Sequence, residues 1–181
     1  MLTFQHADLR RLYAYWSARR PQDAVSSHQS GLDALPSRDD IDPVDLGWML
    51  DRISLFECHD NPLRFRCRVA GTWYSLRFDF EANGSWLHDW PDGAMRDSVL
   101  ALYRMVHADS RPRRLIRQFT IEGTATLYEG AALPLGPDRA QPADKHAKVA
   151  MILIGAAPIA NADLTGLSLI HAAGPYRSWS S

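Results

Sequence analysis

The sequence predicts an α+β fold: a predominantly antiparallel sheet with helices grouped on one face, preceded by an N-terminal helical extension. Three observations carry that prediction. Leu63, Phe65, Cys67 and Val69 alternate with Arg64, Arg66 and Arg68, the period of two of a strand with one buried and one cationic face. Met95, Val99, Leu102, Tyr103 and Val106 fall at spacings of three and four, which is one stripe of an amphipathic helix. Residues 149–154 form a short unbroken apolar run suited to a strand buried at the centre of a sheet.

The elements follow in order. Leu9, Leu12, Tyr13 and Trp16 recur at helical spacing among charged residues, predicting a helix over 7–19 that Pro21 ends. The stretch to Asp40 is rich in Ser, Asp, Gln and Pro without a period and reads as a long exposed loop. Asp42 can cap free N–H groups and Pro43 suits a first helical turn, so a second helix is expected over 42–50. Residues 53–58 and 63–69 read as two strands joined through His59, Asp60, Asn61 and Pro62 into a hairpin. Between Gly71 and Trp90 many aromatic residues occur with no sustained period, which predicts short irregular helices and turns. A long helix over 92–108 and strands over 115–122, 125–133 and 148–157 complete the chain. Two helices, two strands, an irregular aromatic segment, a helix and three strands is not the alternation of a doubly wound parallel sheet. The expected divisions are 1–51 for the helical extension and loop, 52–157 for the core and 158–181 for a C-terminal tail.

Composition narrows the function. At 181 residues the chain suits one domain with extra arms, with 46% hydrophobic and 23% charged residues in the usual globular mix. Its 20 basic and 21 acidic residues leave a formal net charge of -1, so no global field attracts nucleic acid or an anionic membrane. The N-terminus lacks a basic region followed by an apolar run, and no segment reaches the roughly 18 apolar residues of a membrane span. With only Cys58 and Cys67, at no metal or redox spacing, the expected setting is the reducing cytoplasm. Seven scattered histidines show no pair four residues apart, which argues against a structural zinc site. No nucleophile elbow, Walker loop, dinucleotide fingerprint or kinase signature is present, so the chain is not expected to be an enzyme.

Several segments together carry a family likeness. They are Tyr15-Trp16 with Arg19-Arg20, the run from Pro36 through Arg38, Asp40, Ile41, Asp42 and Pro43 to Leu46, the run from Phe65 to Gly71-Thr72, and Leu133-Pro134-Leu135 with Gly155. In these the chain resembles the bacterial one-domain proteins of the PAS fold. It departs from them in placing Asn83-Gly84 where they tend to carry Thr-Gly, and in a loop over 22–35 that looks inserted. The resemblance implies a five-stranded antiparallel sheet, covered by short helices and the long helix, around a space that can hold a small ligand. It also implies a sensory or regulatory domain acting in trans on a protein partner in bacterial signalling.

The candidate ligand-binding residues are Trp73, Tyr74, Phe78, Trp86, His88, Trp90 and Tyr103, because aromatic surface with a few polar groups suits small molecules, although such rings also fill ordinary cores. The sequence names no cofactor. His107 lies roughly where haem-binding relatives of the fold present an axial ligand, against which stands a solvated or helix-capping role. Leu9, Leu12, Tyr13 and Trp16 are the candidate interface with a second copy, giving a homodimer, or else they close the chain's own sheet. The cluster Arg111, Arg113, Arg114 and Arg117 can grip a phosphate or an acidic partner through forked donors, or lie solvated on a strand edge. The alternatives are a ligand-free dimerisation or adaptor module, and a small α+β enzyme using Glu122, His88 or Asp89 as acid or base.

Overall fold

In the computed structural model, strands β1 (Ile53–His59), β2 (Arg64–Ala70), β3 (Arg113–Ile121), β4 (Thr124–Leu135) and β5 (Met151–Ile159) form one sheet. Their order is β2-β1-β5-β4-β3, and every neighbouring pair is antiparallel. The structure describes residues 2–21, 35–74, 80–91, 93–121, 124–138 and 148–160. The tail beyond 160, most of the 22–35 loop and Phe78 lie outside them.

The expected hairpin is present: β1 and β2 pair through Cys58–Phe65 and His59–Arg64, and the turn includes Asn61 at φ 61. Phe65 and Cys67 are buried while Arg66 and Arg68 are exposed, as the alternation requires. The pattern breaks at Val69, where the register between the two strands shifts beside Leu55 and Phe56. Helix α1 (Ala7–Ala18) and helix α2 (Gly93–Asp109) also form where their apolar stripes predict them. The segment over 42–50 differs. It is a 3-10 helix, Val44–Arg52, kinked at Met49 (φ -147, ψ 22). Asp42 does cap it, taking the Val44 N–H at 2.9 Å, but a cap satisfies the first turn of either helix type and does not set the period.

The run Ile152-Leu153-Ile154 is apolar throughout because β5 is central and covered on both sides. On one face α2 lays Val99, Leu102, Tyr103 and Val106 over Phe56, Phe65, Ile152 and Ile154. On the other, Leu9, Leu12 and Trp16 of α1 pack with Leu46 and Met49 against Leu55, Leu133 and Leu153. Helices grouped on one face therefore describes the core, while the N-terminal extension occupies the opposite side. The Trp16 indole N–H donates to the Pro134 carbonyl at 2.9 Å, so its burial strands no donor.

The segments that carried the likeness bind this second layer together. Ser37 and Asp40 form a reciprocal capping box around a short 3-10 turn, Arg38–Asp40. The Tyr15 hydroxyl accepts the Asp42 N–H at 2.9 Å, and Arg19 reaches Asp45 at 2.6 Å. Gly71 is required by close approach: a Cβ there would stand 2.2 Å from the Asp51 carbonyl oxygen.

Candidate functional site: a cavity between the sheet and the long helix

The sheet leaves room beneath α2 because its middle is small. Across three strands Leu115 pairs with Gly130 and Gly130 with Ala156; the Leu115 side chain leans over Gly130, where a Cβ would meet it at 2.8 Å, and Ala156 raises almost nothing above the sheet. The walls are large. Met95, Val99, Leu102 and Tyr103 come from α2, Phe56 from β1, Tyr128 from β4, Trp90 from the preceding loop, and Trp73 and Tyr74 from a single helical turn at 72–74. The cavity is about 60 Å³, several times the roughly 10–15 Å³ that one water needs, and it opens to solvent.

The aromatic walls hold one another in place. Phe56 meets Tyr103 edge-on at 4.9 Å and Trp90 at 5.8 Å, while Trp73 lies 4.9 Å from both Tyr74 and Tyr128. The Trp90 N–H donates to Ser85 at 2.9 Å, and its carbonyl accepts from Arg96 at 3.2 Å, which ties the loop to α2. Burial pushes the Tyr74 and Tyr103 phenols above their ordinary range, so both stay protonated and keep a hydrogen-bond donor.

Among the described residues two charged ones border the cavity: Glu129, whose carboxylate is taken by Arg114 and the N–H groups of Gln5 and His6, and Arg117. It projects from β3 beside its partner Tyr128, and burial lowers its pKa, opposed by its attraction to Tyr103 and Tyr74. It keeps some accessible surface although it sits deep among other atoms, as a group facing a hollow does. Arg117 makes no hydrogen bond or ion pair among the described residues.

Of the residues expected to bind a ligand, Trp73, Tyr74, Trp90 and Tyr103 line this cavity. Trp86 and His88 do not: the short 3-10 turn Leu87–Asp89 buries Leu87 and turns its neighbours outward. Trp86 lies edge-on to His59 at 5.0 Å beneath the Arg64 guanidinium, and His88 stacks on Phe65 with its pKa lowered by burial and by Arg64. Phe78 and Glu122 fall outside the described residues. His107 faces Asp60 at 3.3 Å, away from the lining, and Asp89 is exposed beside Arg64. Leu9, Leu12 and Trp16 are buried against the chain's own sheet, so the second of the two roles open to that stripe is the one seen; Tyr13 is half-buried.

The arginine cluster of the sequence is four separate environments. Arg113 pairs with Asp109, Arg114 with the buried Glu129, Arg111 is exposed, and Arg117 enters the cavity. Arg117 was hidden by its cationic neighbours. The available signal was parity, since it shares a strand face with Leu115. On β2, Arg66 and Arg68 stand 4.0 and 3.1 Å from Glu57 of β1, so that basic face is partly neutralised. Among the described residues no group of three or more His, Cys, Asp or Glu could hold a metal ion, and no helix is long and apolar enough to cross a membrane.

An antiparallel sheet of this order with a long helix over one face and an N-terminal helix is a PAS-like fold. A family model described as PAS domain matches residues 4–129, and the chain belongs to that family. The match takes in α1, the first three strands and the first half of β4, while β5 lies beyond it. Among solved structures, a PAS-B domain variant of Drosophila melanogaster Cycle with bound glycerol is similar at 8% identity and a TM-score of 0.39, over 60% of this chain and 99% of that one. No curated protein matches the chain. PAS domains are generally sensory or regulatory modules, typically without enzymatic activity.

Proposed function

We propose that this chain is a bacterial sensory PAS domain that binds a small ligand in the cavity beneath α2 and passes the change to a protein partner in trans, without catalysing a reaction. One observation carries the reading: Phe56, Trp73, Tyr103 and Tyr128 surround a floor at Ala156 without filling it, while Leu115 lies over Gly130. Protein interiors pack to a density of about 0.75, and a gap too poorly filled forfeits dispersion contacts. A ligand restores them. Because α2 supplies much of one wall, occupancy changes what supports that helix and biases its position, which is how binding at one site reaches another surface.

The same reading places the chain in the cytoplasm, where the free thiols of Cys58 and Cys67 stay reduced, and takes it as a homodimer. The contact between copies must then use surfaces other than Leu9, Leu12 and Trp16, which the sheet already occupies.

Native mass spectrometry of the gently purified protein tests the reading. A small-molecule adduct is expected on the wild type and not on Ala156→Leu, whose larger side chain fills the floor. Wild-type protein without an adduct, still binding its partner, would instead support a ligand-free adaptor module.

A further inference from the structure

Resting on that reading of the cavity, we propose that its ligand carries one carboxylate, which Arg117 pairs with from the wall while an apolar or aromatic body lies over Ala156 beside Leu115. The argument starts from how this chain treats its other deep-seated cations. Arg114 is paired with Glu129, and Arg52 with Asp8 at 2.8 Å. Arg117 has no such anion among the described residues, although it is buried more deeply than a surface arginine. A guanidinium stays charged inside a protein and presents five N–H donors, so removal from water without acceptors is unfavourable.

The sheet itself offers Arg117 no carboxylate. Glu129 is next to Tyr128 in sequence but points to the opposite face, where it accepts from Arg114 and from the N–H groups of Gln5 and His6. What remains around Arg117 is phenolic: Tyr74 and Tyr103 lie near enough to act on its charge. Protonated phenols can donate to the same anion. The planar fork of a guanidinium matches the two oxygens of a carboxylate, and the surrounding apolar wall excludes the water that would weaken the pair. Among the described residues Arg117 is the one cationic residue of the cavity's lining, so a second negative charge on the ligand finds no partner there.

The test uses the full chain and three pairs of probes: phenylacetate, indole-3-acetate and hexanoate, each against its uncharged primary amide. Calorimetry measures each pair on the wild type, Arg117→Lys, Arg117→Gln and Arg117→Met. The wild type is expected to prefer at least one carboxylate over its amide by about tenfold or more, as a charge-assisted bidentate contact implies. Arg117→Gln and Arg117→Met should reduce that preference to less than about twofold, with Arg117→Lys between. Arg117→Met should melt no lower than the wild type, because it removes an uncompensated charge, and so reports on binding and not on folding. Equal binding of acid and amide, with both lost in Ala156→Leu, would overturn the carboxylate and leave the cavity reading standing. No binding of any probe, together with no adduct on the purified protein, would overturn both.

Discussion

The carboxylate of Glu129, in the middle of β4, accepts the backbone N–H of His6 at 2.7 Å across 123 residues of sequence. Its other oxygen takes the N–H of Gln5 at 2.9 Å and the Arg114 guanidinium. His6 is the residue that caps α1, so one buried acid fixes where the N-terminal helix begins on the sheet. Glu129 is 0% exposed, which makes this an interior ion pair whose strength depends on every acceptor site being used.

Glu129→Ala leaves Arg114 and two backbone N–H groups without their acceptor, and is expected to cost about 3–5 kcal/mol. Urea unfolding measures the loss, and hydrogen exchange should show α1 opening first. A loss no greater than that of an exposed pair such as Arg68 with Glu57, about 0–1 kcal/mol, would contradict the assignment.

Gly71 and Gly47 make a paired test of close approach. A Cβ at Gly71 meets the Asp51 and Leu50 backbone at 2.2 to 2.7 Å, while one at Gly47 meets nothing within 4 Å. Gly71→Ala must move the backbone and is expected to lose about 1–3 kcal/mol. Gly47→Ala should be neutral or gain up to about 1 kcal/mol from a stiffer unfolded chain. Comparable midpoints for the two variants would show that the approach at Gly71 relaxes freely.

Stability is expected to fall at alkaline pH. Burial, with smaller contributions from Asp60 and Glu81 respectively, pushes the Cys58 and Cys67 thiols from the ordinary 9.0 up to about 12. Burial also raises Tyr74 and Tyr103. Each group keeps its proton in the fold at a pH where the unfolded chain releases it, so the contribution is complete below pH 9 and is lost as pH climbs towards 12. Urea midpoints at intervals from pH 8 to 11 should be level to about pH 9 and then decline. A Cys58→Ala, Cys67→Ala double variant should decline less steeply, and a wild-type midpoint unchanged to pH 11 would refute the burial of these thiols.

What the sequence made legible follows from which interactions are local. The alternation around Phe65 and Cys67 and the stripe from Met95 to Val106 each report one buried face, and the structure buries those faces. The 3-10 helix over Val44–Arg52 was not legible as such, because Asp42 and Pro43 mark a first turn without selecting its hydrogen-bond span. The side of the sheet taken by α1 was also hidden. It depends on Leu133, Leu153 and Glu129, more than 100 residues away in the chain. In the site, the aromatic-rich segment pointed to Trp73, Tyr74 and Trp90, but Trp86 and His88 share its composition and turn away on a short helix. Ala156 escaped notice, and Arg117 stood out only as a member of a basic cluster, for a different reason: a hollow is defined by residues paired across strands, and pairing is not a property of any one segment.

The most direct measurement is a high-resolution crystal structure of the protein purified gently and without added ligand, with its electron density read between α2 and the sheet. The account predicts continuous density of a small molecule over Ala156, with an anionic end at Arg117. A cavity holding only water, or one closed by Trp90 and Tyr103 moving onto the sheet, would contradict it.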